Sequence, residues 1–357
     1  MIPSIRRIGI ALAAAGLLAS QPVVHAQDKI TWRVPSAVPE GSFFYDNFLQ
    51  RFAKNVALMT NGRLEIKPFG AGVIVPAFKI YEAVLDGTVE AGHSTPSYLV
   101  NQDPTNAIYA GFPGGMGTEA FVDWIYEGGG LGKFQELRKD QKLHTLVVGI
   151  GTTEVFAHSN KPIRTTADLA NLKYRTSGAW AAVLKDSFKG VPTVVPPGEI
   201  FTLLQRKGVD AVEWATPGSN LSEGFHKIAK YVVTPGIHQP TFMWEVVTKP
   251  ETWDKLPAEL KPLVEAAAKL TTLEAILRFE AADIAGIDEY RKAGNEIIRL
   301  DPKVVDEIRV AGQGWARARA EEQKAKGSDR MQKTLDDYLA FQKNWSENSF
   351  YLVRDEK

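Results

Sequence analysis

Apolar residues recur along this chain with two periods, one typical of helices and the other typical of strands. Phe44, Phe48, Phe52 and Val56 lie four residues apart, which predicts a helix over 43–59 with one buried stripe. Short apolar or alternating runs bounded by glycine and proline predict strands between such helices. The main runs of this kind are 30–34, 64–69, 144–150, 172–176 and 242–248. Strands that alternate with helices in this way indicate an α/β fold.

One local arrangement occurs twice in the chain. In each copy a strand-like run precedes an amphipathic helix that ends at a glycine, Gly87 or Gly208, and a short apolar strand follows. The second copy ends in Glu213 and Trp214, an acid and a large aromatic residue at the carboxyl end of a strand. Open α/β sheets bind ligands at such strand ends. We therefore expect two α/β lobes that are built alike and hold a ligand between them.

From Pro257 onward the hydrophobic pattern is almost wholly helical. The run 260–290 predicts one helix long enough to connect two lobes, and two further helices are predicted over 302–320 and 331–345. The expected organisation has three parts after the N-terminal segment. They are a first lobe mainly over 27–150, a second lobe mainly over 151–250, and a helical region over 251–357, with the long inter-lobe helix and the C-terminal helices.

Residues 1–26 have the pattern of a secretory signal peptide. Arg6 and Arg7 precede an apolar stretch over 8–18 that is too short to span a membrane, and Ala26 ends a sequence typical of signal peptidase sites. We expect cleavage near Ala26 and a mature protein in the periplasm. A retained N-terminal helix that anchors the protein is the alternative interpretation.

Composition removes several function classes. Lys and Arg number 42 and Asp and Glu also number 42, so the charge balance indicates neither a nucleic acid nor an anionic membrane as partner. Cysteine is absent, which excludes thiol nucleophiles and thiolate metal sites. The phosphate-loop, dinucleotide, zinc-protease and serine-hydrolase motifs are all incomplete or missing. The histidines of the mature chain have no metal-ligand spacing: His93, His144, His158, His226 and His238.

Arg175 is the sharpest candidate for ligand binding. It interrupts an apolar strand just before Ser177 and Gly178. A fixed guanidinium binds a carboxylate through two parallel hydrogen bonds, which suits recognition of an organic acid. A structural ion pair with a nearby acid is the alternative role for this arginine.

Other polar and aromatic residues at predicted strand ends or on loops complete the candidate site. Glu154, Glu213 and Gln239 supply oxygen atoms, and Trp214 supplies a pocket wall unless it is simply a core residue. Two aromatic residues on loops of the first lobe are expected either to close the pocket or to pack locally: Tyr98 and Phe112.

Four segments in a fixed order resemble one known family. They are 172–175, 197–201, 208–214 and 231–236, and the resemblance extends from about Ile30 to Trp345. Together they resemble the substrate-binding proteins of tripartite ATP-independent periplasmic (TRAP) transporters, the DctP-type family. Within that family they are most similar to the branch that binds 2-oxo acids and lactate.

The resemblance implies a two-lobe periplasmic binding protein that closes around a carboxylate. The arginine that matches Arg175 would bind the substrate carboxylate, and a sodium or calcium ion would bridge substrate and protein. Glu213 and the backbone carbonyl of Trp214 would hold this ion, and Glu154 and Gln239 would complete the site. The branch has glutamine at the position of Glu154 and glutamate at that of Gln239. The exchange keeps the number of carboxylates, so a hard cation with oxygen ligands still fits.

The expected function is therefore capture of a small 2-oxo or 2-hydroxy monocarboxylate and its delivery to a TRAP permease, without catalysis and without an organic cofactor. An exported enzyme that uses Glu154 and Glu213 as an acid–base or metal pair is the first alternative. A ligand-sensing partner of a membrane receptor is the second. A homodimer formed through the long C-terminal helices stays open at this stage.

Overall fold

The structure is a computed structural model that describes residues 29–352. The predicted signal peptide and its cleavage site lie outside these residues. Eleven strands are present in the described part of the chain. In chain order they are β1 Ile30–Pro35, β2 Leu64–Phe69, β3 Ala91–Ser94, β4 His144–Gly151, β5 Ala157–Ser159, β6 Lys173–Arg175, β7 Val191–Thr193, β8 Ala211–Val212, β9 Tyr231–Thr234, β10 Phe242–Thr248 and β11 Glu296–Arg299.

Twelve α-helices accompany these strands in the same residues. They are α1 Arg51–Met59, α2 Ile80–Asp86, α3 Asn106–Ala110, α4 Thr118–Tyr126, α5 Gly130–Asp140, α6 Gly178–Phe188, α7 Ile200–Gln205, α8 Pro217–Glu223, α9 Pro250–Asp254, α10 Lys261–Lys292, α11 Pro302–Ala325 and α12 Arg330–Asn348. A π-helical turn, Tyr45–Gln50, leads into α1. Short 3-10 turns lie at Ala77–Lys79, Pro96–Leu99, Thr166–Leu169, Pro197–Glu199, Phe225–Lys227 and Ser349–Tyr351.

The two lobes contain sheets with the same strand order. In the first lobe, β1 pairs with β2 in parallel, a parallel bridge between Ser36 and His93 links β1 to β3, and the order continues β3-β10-β4. In the second lobe the order is β7-β6-β8-β5-β9-β11. Each sheet thus has three parallel strands followed by an antiparallel one, β10 or β5. The repeat predicted from the sequence corresponds to β2-α2-β3 and β7-α7-β8, and the α/β two-lobe prediction is confirmed.

The chain crosses between the lobes more than once. β4 belongs to the first sheet and is followed at once by β5 of the second, while β10 returns to the first sheet between β3 and β4. We keep the predicted division at 150 and 250 as a proposal, with β10 added to the first lobe and β11 to the second. β10 and β11 are assigned to these lobes by the strands with which they pair. The local hydrophobic pattern does not predict such pairing.

Helix α10 connects the lobes, as its length predicts. In its first half, Thr272 Oγ1 donates to the carbonyl of Val147 in β4, 3.2 Å away. In its second half, Asp283 Oδ1 accepts from the amide of Gly218 at 2.8 Å, and the Tyr290 hydroxyl donates to the carbonyl of Pro217 at 2.6 Å. None of the helices within 29–352 is long and apolar enough to cross a bilayer.

The predicted aromatic stripe forms the centre of the first lobe. Phe44, Phe48, Phe52 and Val56 are all buried, and Phe48 stacks on Phe279 of α10 with ring centroids 5.4 Å apart. This stripe packs the first lobe against the long helix and brings Phe44 to the boundary with the second lobe.

Candidate ligand site between the lobes

A small cleft lies where the two lobes meet, with a volume of about 20 Å³. The first lobe contributes an aromatic wall that includes Phe44, Tyr98 and Trp244, whereas the second contributes charged groups that include Arg175 and Glu213. The complete lining is Phe44, Thr95, Ser97, Tyr98, Glu154, Arg175, Ser177, Glu213, Trp214, Gln239, Phe242 and Trp244. A buried space with charges on one side and rings on the other is typical of a site for a small polar ligand.

Arg175 is fixed at the end of β6. Its side chain is 1% exposed; Nη1 donates to the main-chain oxygen of Glu213 at 3.0 Å and Nη2 to that of Val195 at 3.0 Å. Nη1 also lies 3.3 Å from Glu213 Oε1, so the predicted alternative, an internal ion pair, is present too. The guanidinium carbon lies 5.6 Å from the centre of the Trp214 ring. Arg175 is therefore positioned in the cavity and paired there at the same time.

Glu213 and Trp214 follow β8 directly. Because β6 and β8 pair in parallel, these two residues and Arg175 lie at the same edge of the sheet. Glu213 Oε1 also accepts from the amide of Ser177, the residue before α6, at 3.2 Å. The Trp214 ring packs against Phe44 of the first lobe with centroids 5.2 Å apart. The end of β8 thus supplies Glu213 to the cavity and, through Trp214, a contact between the lobes.

Glu154 and Glu213 form a buried pair of acids beside His238. His238 Nε2 lies 3.2 Å from Glu154 Oε2, and one oxygen of each acid and one nitrogen of His238 lie within 4.8 Å of one another. Burial, reinforced by the charge and hydrogen bond of Glu213, raises the pKa of Glu154 well above its usual range, although Arg175 opposes the shift. Burial lowers the pKa of His238 to about 3. Because His238 is neutral at neutral pH, the contact between them is a hydrogen bond rather than an ion pair.

Gln239 and Tyr98 also line the cavity, from opposite lobes. The carbonyl of Gln239 accepts from the amide of Glu154 at 3.3 Å, which ties the loop after β9 to the crossover after β4. Tyr98 packs edge-on against Phe78 and against Trp244, with centroid distances of 4.8 and 6.5 Å.

Phe112 does not line this cavity. It is fully buried in a separate core cluster of the first lobe, where its ring lies 5.5 Å from that of Tyr338 in α12. The loop that carries Phe112 is covered by the C-terminal helix, so the side chain packs locally, the alternative stated for it above.

Several lining residues escaped the sequence analysis. Phe44 was assigned to the core, where it is, but it also faces the cavity, and Trp244 and Phe242 lie in β10 with no local signal of a site. His238 lies behind the lining, in contact with Glu154, and was set aside with the scattered histidines, although it is adjacent to Gln239 in the sequence. Its partner Glu154 is 84 positions away, which no motif spacing would detect.

Comparison with known proteins identifies the family of this chain. The model of the bacterial extracellular solute-binding protein family 7, DctP, matches residues 36–323. A monocarboxylate 2-oxoacid-binding periplasmic protein of Nostoc sp. is 28% identical over 278 residues, which cover 77% of this chain and 75% of that protein.

Two solved structures are similar over nearly their whole length. A TRAP periplasmic solute-binding protein from Pseudoalteromonas atlantica, with bound sodium and pyruvate, has a TM-score of 0.83 and 25% identity, and covers 90% of this chain and 96% of that one. Another from Colwellia psychrerythraea, with bound calcium and pyruvate, has a TM-score of 0.81 and 25% identity, over 90% and 98% of the two chains. This chain therefore belongs to the DctP family, the bacterial extracellular solute-binding proteins of family 7, and has the two-lobe fold of TRAP periplasmic binding proteins.

Proposed function

We propose that this protein captures a small 2-oxo or 2-hydroxy monocarboxylate between its lobes in the periplasm and delivers it to a TRAP permease. The observation that carries the proposal is the buried guanidinium of Arg175, which lies in an inter-lobe cavity beside Trp214. A carboxylate that enters this cavity would replace the weaker of the present contacts of Arg175, the 3.3 Å approach to Glu213. The Nostoc relative and the two pyruvate-bound structures support the same class of ligand.

The lining of the cavity supports a small anionic ligand, but its volume of about 20 Å³ holds about one water molecule, so the lobes must move apart to admit a carboxylate. Rings from the first lobe enclose the cavity on one side, and Arg175, Glu154, Trp214 and Gln239 enclose it on the other. Because ligand contacts from both lobes exist together only when the lobes are closed, ligand binding would favour the closed form. We infer that the permease recognises this closed form.

A cation that bridges protein and substrate fits the donor atoms present. Glu213 and Glu154 supply carboxylate oxygens, Gln239 supplies an amide oxygen, and Trp214 supplies its backbone carbonyl. Two buried acids, Glu154 and Glu213, face the one guanidinium of Arg175, and a cation would offset the second negative charge. Sodium and calcium, the ions bound in the two similar structures, both prefer oxygen ligands.

The alternative of an exported enzyme has less support. The family of this chain consists of solute-binding proteins. The cavity lining beside Glu154 and Glu213 contains no cysteine or lysine, and its two serines are Ser97 and Ser177. Calorimetry with pyruvate separates the two functions, because a receptor gives a saturable heat with no later heat of turnover. A sustained heat proportional to enzyme concentration would favour catalysis.

Arg175→Lys tests the proposed carboxylate anchor. Lysine keeps the charge but loses the planar pair of donors, so we expect affinity for pyruvate to fall at least about 30-fold in calorimetric titrations. Arg138→Lys is the matched control, because Arg138 is equally buried and paired with Glu245 but lies outside the cavity. Unchanged affinity in Arg175→Lys, or an equal loss in both folded variants, would refute the role of Arg175.

A homodimer is proposed from the exposed face of α10. Leu273, Leu277 and Ile284 are 55%, 58% and 75% exposed and lie on one face of the helix, at spacings typical of helix pairing. A second copy would cover this stripe by packing its own α10 against it, as in a two-fold symmetric interface. We expect sedimentation velocity to give a dimer for the wild type and a monomer for Leu277→Glu. A control is Val310→Glu, which changes an exposed residue of α11; a wild-type monomer at micromolar concentration would contradict the proposal.

A further inference from the structure

Two uncharged segments with exposed apolar side chains lie on opposite lobes, beside the opening of the ligand cleft. We propose that these segments, 70–78 of the first lobe and 190–198 of the second, together form the surface that docks on the membrane permease. They are called the mouth segments below. The inference rests on the proposed function, because it identifies the surface through which the permease would recognise the closed form.

The mouth segments occupy equivalent places in the two lobes. Each leads through a 3-10 turn, Ala77–Lys79 or Pro197–Glu199, into the helix of the repeated unit, α2 or α7. The residue before each turn is a proline with nearly the same backbone angles, φ −59° and ψ 151° at Pro76 and φ −58° and ψ 154° at Pro196. The repeat therefore places the same kind of loop on each lobe.

Strand order places both segments on the open side of the cleft. The strands β2 and β7 lie at one edge of their sheets, whereas the crossovers between lobes leave from β4, β5, β9 and β10, toward the other edge. The mouth segments are thus far from the hinge. The lobes also meet here, since a Cβ at Gly198 would lie 3.5 Å from Pro39 Cγ of the first lobe.

Both segments expose apolar side chains and contain no charged residue. Val73 is 62% exposed and Val194 is 52% exposed, and Phe78 and Val191 are exposed beside them. Apolar side chains grouped on a surface in this way mark a site that a protein partner covers. A second copy of this chain would block the opening of the cleft, whereas a permease must contact that opening to receive the ligand. The location therefore favours the permease, with an uncharged apolar surface of its own.

Each mouth segment is in contact with a residue of the ligand cavity. Arg175 Nη2 donates to the carbonyl of Val195 at 3.0 Å, and the ring of Phe78 packs edge-on against Tyr98 with centroids 4.8 Å apart. Because the segments belong to different lobes, opening the cleft would separate them. A partner that contacts both segments would therefore bind the closed form in preference to the open one.

Photocrosslinking in cells of the source bacterium tests this inference without relying on a particular ligand. The photoreactive residue p-benzoylphenylalanine replaces Val73, Val194 or, as the control, Val310, an exposed valine of α11. We expect the first two variants, but not the third, to crosslink to the same membrane-embedded permease subunit, identified by mass spectrometry. Crosslinks from only one lobe, no crosslink to a membrane protein, or a product that contains two copies of this chain would overturn the inference.

Charged substitutions separate docking from ligand capture. Val73→Glu and Val194→Glu should each keep the affinity for pyruvate within about twofold in calorimetry, because neither side chain lines the cavity. Each should reduce uptake of labelled pyruvate at least about fivefold in cells that lack the wild-type protein. Val310→Glu is the matched control and should leave uptake unchanged. Normal uptake with both Val73→Glu and Val194→Glu would contradict the docking surface.

The two experiments also distinguish this inference from the proposed function. Crosslinks from Val73 and Val194 variants to the permease, together with failure of the wild type to bind pyruvate and other carboxylates, would reject the proposed ligand while leaving the docking surface intact. Pyruvate binding without these crosslinks would do the reverse.

Discussion

Arg175 carries a buried charge and is held in place before any ligand contacts it. Two main-chain oxygens, of Glu213 and Val195, accept its hydrogen bonds, and the Glu213 carboxylate lies close enough to offset its charge. A buried charge without such partners would be strongly unfavourable. Because the backbone fixes the guanidinium, little side-chain freedom remains to be lost when a carboxylate binds.

Three histidines that burial keeps neutral predict an acid-sensitive fold. The pKa values of His93, His158 and His238 are lowered to about 3, whereas an unfolded histidine titrates near 6.5. Between these values the unfolded chain binds more protons, so stability falls as pH falls below about 6.5. Each histidine contributes a loss of about 2 kcal/mol by pH 5. Glu154 acts in the opposite sense, because its raised pKa makes stability fall as pH rises above its unfolded value.

Urea unfolding at constant ionic strength measures this balance. We expect the free energy of unfolding to decrease between pH 7 and pH 5, since the neutral histidines, which include His144 with a pKa lowered to about 4, exceed the opposing effect of the buried acids with raised pKa values, Glu154, Glu223 and Asp283. Replacing His158 by glutamine should reduce the pH dependence by the share of one histidine. An unfolding free energy that is constant between pH 7 and pH 5 would contradict the assignment of neutral buried histidines.

Strand-end reasoning located most of the proposed site residues but missed those that depend on distant contacts. Arg175 ends one parallel strand and Glu213 and Trp214 follow its neighbour, so parallel pairing brings all three to one edge of the sheet. His238 reaches the site only through the packing of its loop on the crossover after β4. Phe112 lies on a loop that packs against α12. Its residue type and its position in the sequence therefore did not show whether it faces the cavity or the core.

At the scale of elements, the repeated strand–helix–strand unit could be predicted because the glycines and apolar runs that define it are close together in the sequence. The returning strand β10 was recognised as a strand, but its place between β3 and β4 is a property of the assembled sheet. β11 was not predicted, because only Ile298 among its residues is buried and the surrounding charges hide the alternation.

Close packing of α10 on α8 predicts opposite effects for two helical glycines. A Cβ at Gly286 would lie 2.9 Å from backbone atoms of Pro217 and Gly218, whereas a Cβ at Gly314 in α11 would meet nothing within 4 Å. We expect Gly286→Ala to destabilise the protein by about 1–3 kcal/mol through overpacking. Gly314→Ala should stabilise it by about 0.5–1 kcal/mol through helix propensity. Chemical denaturation of both variants checks the pair; stabilisation by Gly286→Ala would show that the two helices are not in contact.

For the whole molecule, the proposed mechanism depends on contacts that only a closed arrangement provides. Gly178 at the start of α6 faces Ser97 of the first lobe so closely that an added Cβ would lie 2.5 Å from Ser97 Oγ. Trp214 meets Phe44 across the same boundary. Helix α10 makes hydrogen bonds to both lobes. Its Asp283 accepts hydrogen bonds from the amide of Gly218, in the segment after β8, and from the hydroxyl of Thr152, in the crossover after β4. The contacts between the lobes and the lining of the proposed ligand site therefore lie at the same boundary.

A crystal structure of the protein with pyruvate tests the central claim most directly. We predict that the pyruvate carboxylate accepts hydrogen bonds from the guanidinium of Arg175, between Trp214 and the aromatic wall of the first lobe. Pyruvate bound outside this cavity, or bound within it while its carboxylate makes no contact with Arg175, would contradict the account.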